Sequence, residues 1–234
     1  MKDKLAKTGY ILSTALFAIL GVLFFFVAVK AFFDLIAMSR SDAFLKWNGM
    51  GNYLGIFLGI AAYAVFLITL IIPRIRHNLT WFMKFTHELT HTLVAVCFFA
   101  KIREFVVKDR ECYVSYKSGP LGYIPVTLSP YCIPIYTFML FPFRFAGESK
   151  YMVVFDFLIA FTYAFHIHSF IRQTRFDQSD IVNCGKARSF AFITFVHFIV
   201  LALVLATPRG GVMNALHRVF WEYPSDILFT LTNL

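Results

Sequence analysis

Charged residues are scarce in this chain. Asp, Glu, Lys and Arg make up 15% of its 234 residues, and hydrophobic residues make up 59%. Soluble domains are closer to half apolar and about a quarter charged, and the mean hydropathy here is +0.69. The 30 phenylalanines are hard to hide in one water-exposed domain of this size. The composition therefore excludes an ordinary soluble fold and predicts a membrane protein.

The chain also lacks paired cysteines. No C-x-x-C motif occurs among its 4 cysteines, which are Cys97, Cys112, Cys132 and Cys184. This spacing argues against both a disulfide framework and a thiolate metal site. We expect these cysteines to act as small apolar side chains that fill space.

Acidic residues are fewer than basic ones, 13 against 22, which gives a formal net charge of +9. The basic residues cluster at the ends of apolar runs, as Lys2, Lys4 and Lys7 do before the first run. This pattern is typical of cytoplasmic loops that face anionic lipid headgroups. Nucleic-acid binding would instead interleave basic and aromatic residues on an exposed face. We therefore expect a lipid bilayer as partner, no nucleic acid, and a cytoplasmic N-terminus.

Apolar runs long enough to cross a bilayer, which takes about 20 helical residues, recur along the chain. They cover residues 10–33, 53–72, 79–100, 152–171 and 189–206, and the basic sequence 74–78 is predicted to be a short loop between the second and third runs. A further apolar segment, 120–142, is interrupted by prolines, and broken backbone at membrane depth is tolerated only inside protein or beside a watery cavity. We expect this segment to be re-entrant or a kinked helix pair. The prediction is an all-α polytopic membrane protein with about five to six transmembrane helices.

The third apolar run contains the pattern H-E-x-x-H at His87, Glu88 and His91. Residues four apart lie on one helix face, so both imidazoles can bind one metal ion while Glu88 reaches a metal-bound water as general base. Zinc in such a site lowers the pKa of its water to about 7 and polarises a scissile carbonyl. The pattern predicts His87 and His91 as zinc ligands and Glu88 as the catalytic residue.

Residues 101–119, directly after this run, alternate polar and apolar side chains on either side of the charged sequence from Lys108 to Glu111. A period of two predicts a β-hairpin rather than a helix. We therefore expect a small hairpin near the active site. No internal repeat or linker divides the chain, so 1–234 is expected to be a single membrane-embedded domain with its motif-bearing core at about 79–206.

A catalytic zinc usually has three protein ligands, so one ligand is still needed. The candidates are Asp177, Asp180, His166 and His168. Asp180 is favoured because it begins the last apolar helix and supplies a carboxylate. Asp180 can meet His87 only if the chain crosses the membrane an even number of times between them, so that both lie on the same side. A re-entrant or paired segment 120–142 would allow this. His166, His168 and Asp177 are expected to hold substrate or to support the ligands.

Roles besides hydrolysis are compatible with the motif. Two histidines and a glutamate in a membrane helix are costly unless paired or metal-bound, so they could form a polar network between helices or a transit site in a metal-ion or proton transporter. A catalytically inactive scaffold is a further alternative, although a scaffold has no physical need for these residues in lipid. Ligands scattered across the bilayer would favour a transporter, and an intact general base favours hydrolysis.

The motif and its surroundings resemble the site-two protease family of intramembrane zinc metallopeptidases, in particular its compact bacterial branch. The resemblance spans about 79–188. It is carried by the motif at 85–91, the strand-like segment after it, the proline-containing sequence 128–134, and the stretch from 165 to 181 with its late aspartate.

This resemblance implies hydrolysis of a peptide bond within or near a membrane-spanning segment of a protein substrate. It implies zinc bound by His87 and His91, Glu88 as base, and an extended substrate that pairs with a strand at the active site. It also implies the bacterial cytoplasmic membrane as the location. The family's Leu-Asp-Gly signature for the third ligand is absent, and Ser179, Asp180 and Ile181 stand in its place.

Overall fold

The computed structural model describes residues 2–39, 53–108, 111–146, 151–209 and 211–233. Ten α-helices and one pair of strands lie in these ranges. In chain order they are α1 (Lys2–Ser39), α2 (Leu54–Ile68), α3 (Pro73–Cys97), β1 (Lys101–Val107), β2 (Cys112–Lys117), α4 (Pro120–Cys132), α5 (Ile135–Ala146), α6 (Met152–Gln173), α7 (Ser179–Cys184), α8 (Lys186–Ala206), α9 (Gly211–His217) and α10 (Tyr223–Thr232).

Within the described ranges, four helices are long and apolar enough to cross a membrane: α1, α2 with its 3-10 extension, α6 and α8. The α4–α5 pair adds a fifth candidate if its two halves count as one span. The predicted helical architecture with one small hairpin is confirmed. The structure has four or five candidate spans where the sequence predicted about five to six.

The helix that carries the motif differs from its prediction in two ways. It begins at Pro73, so the basic sequence 74–78, predicted as a loop, forms its first turns. Proline suits the first helical position because its fixed φ is helical and its missing N–H has no partner there anyway. The helix is also not among the four apolar candidates, because Arg74, Arg76 and Lys84 accompany the motif residues along it.

Segment 120–142 forms a kinked helix pair, one of its two predicted forms. The axes of α4 and α5 are bent by 87° at a short break. Ile133 has extended backbone angles of φ −105° and ψ 104°, because the ring of the following Pro134 disfavours helical angles in the residue before it. The chain therefore turns sharply between the two helices.

A buried ion pair fixes α5 against α6. The Arg144 guanidinium donates two hydrogen bonds to the Asp156 carboxylate, at 2.7 Å from Nε and 3.3 Å from Nη2. Both residues are about 1% exposed, and Arg144 also contacts the Met152 sulfur. A bidentate pair satisfies both buried charges at once, so the two helices are locked in one relative register.

Phenylalanine packing joins α1 to α8 at the other side of the bundle. The Phe17 and Phe192 rings are 5.1 Å apart in an edge-to-face arrangement, and Phe24 meets Phe195 at 5.6 Å. The C-terminal helices close this side, where the Tyr223 hydroxyl donates to the Asp34 carboxylate. Much of the phenylalanine content is therefore used for contacts between helices.

The hairpin forms where the alternation predicted it. β1 and β2 are antiparallel, with Phe105 opposite Val114 and Val107 opposite Cys112. An irregularity between Ile102 and Glu104 shifts the register by one residue. The predicted β-hairpin is confirmed, whereas burial does not alternate strictly along either strand.

Two glycines let α2 approach α6 closely, a feature that the sequence analysis missed. A Cβ added at Gly55 would overlap the Val153 carbonyl oxygen, and one at Gly59 would overlap the Phe157 carbonyl oxygen. The spacing of four puts both glycines on one face of α2, the small-xxx-small arrangement of closely packed helices. The α2–α6 contact therefore depends on the absence of side chains at these positions.

We predict opposite effects for two Gly→Ala changes. Gly59→Ala should lower the free energy of unfolding by about 1–3 kcal/mol, because the added carbon collides with backbone rather than with a movable side chain. Gly9→Ala in α1, where nothing lies within 4 Å, should be neutral or stabilise by about 0.5–1 kcal/mol. Unfolding of both variants in mixed detergent micelles tests this. Equal behaviour of the two would show that α2 and α6 do not pack through Gly59.

Candidate metal centre

The first two candidate ligands come from α3. His87 and His91 are one helical turn apart, so their side chains project from the same face. Their ring centroids are 5.1 Å apart. His91 is 5% exposed. The hydroxyl of its neighbour Thr90 donates a hydrogen bond to the Thr86 carbonyl. The helix thus presents two imidazoles at one point of its inner surface.

The third candidate ligand, Asp180, lies in the first turn of the short helix α7. Its Oδ2 atom is 3.5 Å from His91 Nε2 and 3.9 Å from His87 Nε2. The three ligand atoms all lie within 4.8 Å of one another. This group of two imidazoles and one carboxylate could hold a metal ion.

Buried contacts hold α7 in place. Ile181 and Cys184 are fully buried against α4 and α8, and the Ser189 hydroxyl donates to the Ile181 carbonyl. Gly185, with φ +84°, links α7 to α8 in a conformation that residues with a side chain rarely adopt. These contacts fix the short helix that carries Asp180 against α4 and α8.

A proline in α4 sets the orientation of His91. The Val126 carbonyl would normally accept a hydrogen bond from the N–H four residues later, but that residue is Pro130, which has none. The carbonyl instead accepts from the Ser129 hydroxyl at 2.9 Å and lies 2.8 Å from His91 Nδ1. A carbonyl oxygen only accepts, so Nδ1 carries the proton and the Nε2 lone pair is left for a metal ion.

Tyr131, one residue further along α4, supports both sides of the site. Its hydroxyl donates to Asp180 Oδ2 at 3.1 Å, and its ring meets the His87 ring edge-to-face at 5.2 Å. From the other side, the Tyr116 ring of β2 lies 6.0 Å from His91. The ligand side chains are therefore packed between α4 and the hairpin.

The neighbouring imidazoles keep Asp180 ionised. Burial alone would raise the pKa of this carboxyl, but the adjacent imidazoles of His87 and His91 outweigh burial and hold the pKa well below its ordinary value. An ionised carboxylate is the form that binds a cation. The electrostatics of the site thus favour a positive charge between these three side chains.

Glu88 is buried beside the ligands and interacts with the backbone of Val114 in β2. Together with His87 it lines a cavity of about 560 Å³, which also meets Cys112 on the hairpin and Arg172 at the end of α6. We call this space the site cavity. It gives a polar molecule access to the carboxylate and to the first imidazole.

The remaining candidates from the sequence lie outside the three-residue group. Asp177 forms an exposed ion pair with Arg175 at 3.3 Å. His168 Nδ1 bonds the Tyr63 hydroxyl at 2.8 Å, on the side of α6 that faces α2. His166 is buried, and its ring lies 5.5 Å from that of His197.

Sequence reasoning did not find Val126 and Tyr131, the partners of the ligands. A signal for the first was present: a proline four residues after Val126 leaves that carbonyl without its helical partner. Nothing in the sequence marks Tyr131, since its role depends on the approach of α7 to α4. Neither contact follows from helix periodicity alone.

We predict that the purified protein binds about one divalent metal ion per chain. His87→Ala and Asp180→Ala should each lose it, because each removes a ligand. Tyr131→Phe should retain the site but weaken affinity about 10–100-fold, since it removes only the hydroxyl that orients Asp180. His77→Ala, an exposed histidine on the same helix, is the matched control. Metal content by mass spectrometry and competition with a chelator measure both quantities, and metal retained in His87→Ala would contradict the assignment.

No protein-family model, curated protein or solved structure matches this chain. Its function is therefore inferred from its own residues and from the geometry described above.

Proposed function

We propose that this chain is an intramembrane zinc metalloprotease of the site-two protease type. The observation that carries the proposal is the convergence of His87, His91 and Asp180, with His87 and its neighbour Glu88 on the wall of the site cavity. Two imidazoles and a carboxylate are the ligand set of many catalytic zinc sites, which leave a fourth position open.

Each residue has a separate role in this proposal. His87, His91 and Asp180 hold the zinc ion, which when bound polarises the scissile carbonyl and lowers the pKa of a water. Glu88 takes a proton from the attacking water and returns it to the leaving amine. The Val126 carbonyl and the Tyr131 hydroxyl orient the ligands. The site cavity admits water and the unwound substrate segment.

The hairpin offers that segment a strand to pair with. Cys112 of β2 lines the site cavity, and Val114 of the same strand meets Glu88. Among the described residues, β2 pairs with β1 along one edge and with no strand along the other. An extended substrate can add to the other edge through main-chain hydrogen bonds, which would bring its peptide bonds past Glu88.

The apolar helices support a membrane location. Four or five of them are long enough to cross a bilayer, and the basic residues before the first predict a cytoplasmic N-terminus. The 87° bend between α4 and α5 allows the chain after His91 to return to the same membrane depth at Asp180. The bacterial cytoplasmic membrane follows from the family resemblance alone. We propose these points together with the activity.

One observation favours a second candidate function, metal-ion or proton transport. His166 lines a narrow cavity together with His87, and its Nε2 atom has no hydrogen-bond partner among the residues that the structure describes. A line of imidazoles leading away from the metal site is what a transit path would require. In a transporter, however, Glu88 need not act as a base.

The substitution Glu88→Gln separates the two functions. We expect it to retain the metal and to lower proteolysis about 10²–10⁴-fold, because the amide cannot accept the proton from the attacking water. The measurement uses zinc-loaded protein in vesicles with a panel of synthetic transmembrane peptides that contain central helix-breaking residues, and mass spectrometry detects the cleaved products.

Glu222→Gln, the same change near the C-terminus, is the control and should cleave like the unmodified protein. Zinc flux into vesicles that persists in Glu88→Gln, with no peptide cleaved by the unmodified protein, would favour the transporter. Loss of zinc in Glu88→Gln would instead show that Glu88 is a ligand.

A further inference from the structure

The open end of the hairpin exposes two large apolar side chains. We call this surface, residues 98–101 and 117–122, the hairpin base. Phe99, in the turn before β1, is 98% exposed, and Leu121, in the first turn of α4, is 89% exposed. In water, contact between such side chains and solvent is unfavourable. The two residues therefore mark a surface that is suited to an apolar environment.

The backbone of Phe99 is also unusual. Its φ of +54° lies in the left-handed region, which bulky residues rarely adopt. The preceding Phe98 lies against α4, since a Cβ added at Gly122 would be 3.0 Å from the Phe98 Cβ. This contact holds the turn against α4, but the Phe99 ring itself is almost uncovered in the described structure. Packing within the chain therefore does not account for a phenylalanine at this position.

Two lysines lie opposite each other at the hairpin base. Lys101 of β1 pairs with Lys117 of β2, and residues directly opposite each other on two strands project from the same face. Both lysines are exposed, and neither forms an ion pair with a described residue. Like charges directly opposite each other destabilise a strand pair. An anion bound to both ammonium groups would remove this repulsion.

The hairpin base lies near the point where two candidate spans begin. Tyr123, in the first turn of α4, is close enough to Arg188 for the two side chains to interact electrostatically. The Arg188 guanidinium in turn lies 5.0 Å from the centroid of the Tyr10 ring. These two residues are close to the starts of the candidate spans Lys186–Ala206 and Ala6–Ala37. In the proposed orientation, this end of the bundle faces the anionic headgroups of the cytoplasmic leaflet.

We propose that the hairpin base binds an anionic phospholipid of the cytoplasmic leaflet. The two exposed apolar side chains insert between the acyl chains, and Lys101 and Lys117 together bind the lipid phosphate. Burial of apolar area and attraction to anionic headgroups both contribute to binding at a membrane interface, and ammonium groups bind phosphate through charge-assisted hydrogen bonds. The bound lipid anchors β2, the strand whose Val114 meets Glu88. This inference depends on the proposed membrane location and not on proteolysis.

The substitution Phe99→Trp tests both parts of the proposal. The full chain is placed in nanodiscs of phosphatidylcholine and phosphatidylglycerol in equal amounts, with brominated acyl chains on one lipid or on the other. Bromine quenches only a nearby indole, so the fluorescence of the added tryptophan, taken as the difference from the unmodified protein, reports its neighbours. We expect quenching by acyl-chain bromine, with phosphatidylglycerol enriched about 25-fold over phosphatidylcholine, because each lysine near the surface contributes about fivefold.

Removal of one lysine identifies the headgroup contact. Adding Lys117→Gln to the tryptophan variant should lower the enrichment of phosphatidylglycerol about fivefold, while the tryptophan stays quenched because its apolar contacts remain. Lys108→Gln is the matched control, since it removes an exposed lysine at the other end of the same hairpin, and it should keep the full enrichment. If Phe99→Trp fails to fold, Leu121→Trp reports on the same surface.

The outcomes separate this inference from the proposed activity. A tryptophan that neither brominated lipid quenches overturns the inference, because the hairpin base then lies outside the bilayer. Equal quenching by the two lipids, or an enrichment unchanged by Lys117→Gln, also overturns it, since the lysines then bind no lipid phosphate. These results leave the protease proposal in place, because the experiment contains no substrate. Enrichment of phosphatidylglycerol in a protein that cleaves no peptide supports the lipid site and contradicts only the proteolytic function.

Discussion

The hydrogen bond between His91 Nδ1 and the Val126 carbonyl connects the features on which the candidate site depends. Pro130 removes the helical partner of that carbonyl, which instead accepts hydrogen bonds from the Ser129 hydroxyl and from the ligand imidazole. The same helix carries Tyr131, which holds Asp180. One broken helix thus orients a ligand from α3 and another from α7.

The rest of the bundle positions that broken helix. α5 follows it after the 87° bend and is fixed to α6 by the Arg144–Asp156 ion pair. α6 is in turn packed closely on α2 through Gly59, and its C-terminal end forms a wall of the site cavity. A bidentate ion pair and direct backbone packing allow little sliding of α6 against its neighbours. The position of the cavity wall is therefore fixed by contacts that lie away from the cavity itself.

Periodicity made the large elements predictable, because both helices and strands repeat their buried positions along the chain. The hairpin at 101–119 and the kinked pair at 120–142 follow from alternation and from prolines. The start of α3 at Pro73 was missed because a basic sequence was interpreted as a loop, whereas proline at the first helical position begins a helix. Within the site, a local sequence pattern was sufficient to identify His87, Glu88 and His91. The contacts of Val126 and Tyr131 depend on how distant segments pack, which no local pattern encodes.

Assembly of the site from separate segments has a thermodynamic consequence for the proposed enzyme. α3 alone places two imidazoles together, but the carboxylate arrives only when α7 docks through Ile181 and Cys184. An ion that binds all three ligands binds the docked state and not the undocked one, so its binding free energy adds to the stability of that state. Without the ion, the adjacent imidazoles still favour the ionised form of the carboxylate, as the low pKa of Asp180 indicates. The fold therefore brings the ligands together in advance, and a metal ion reinforces an arrangement that packing and charge already favour.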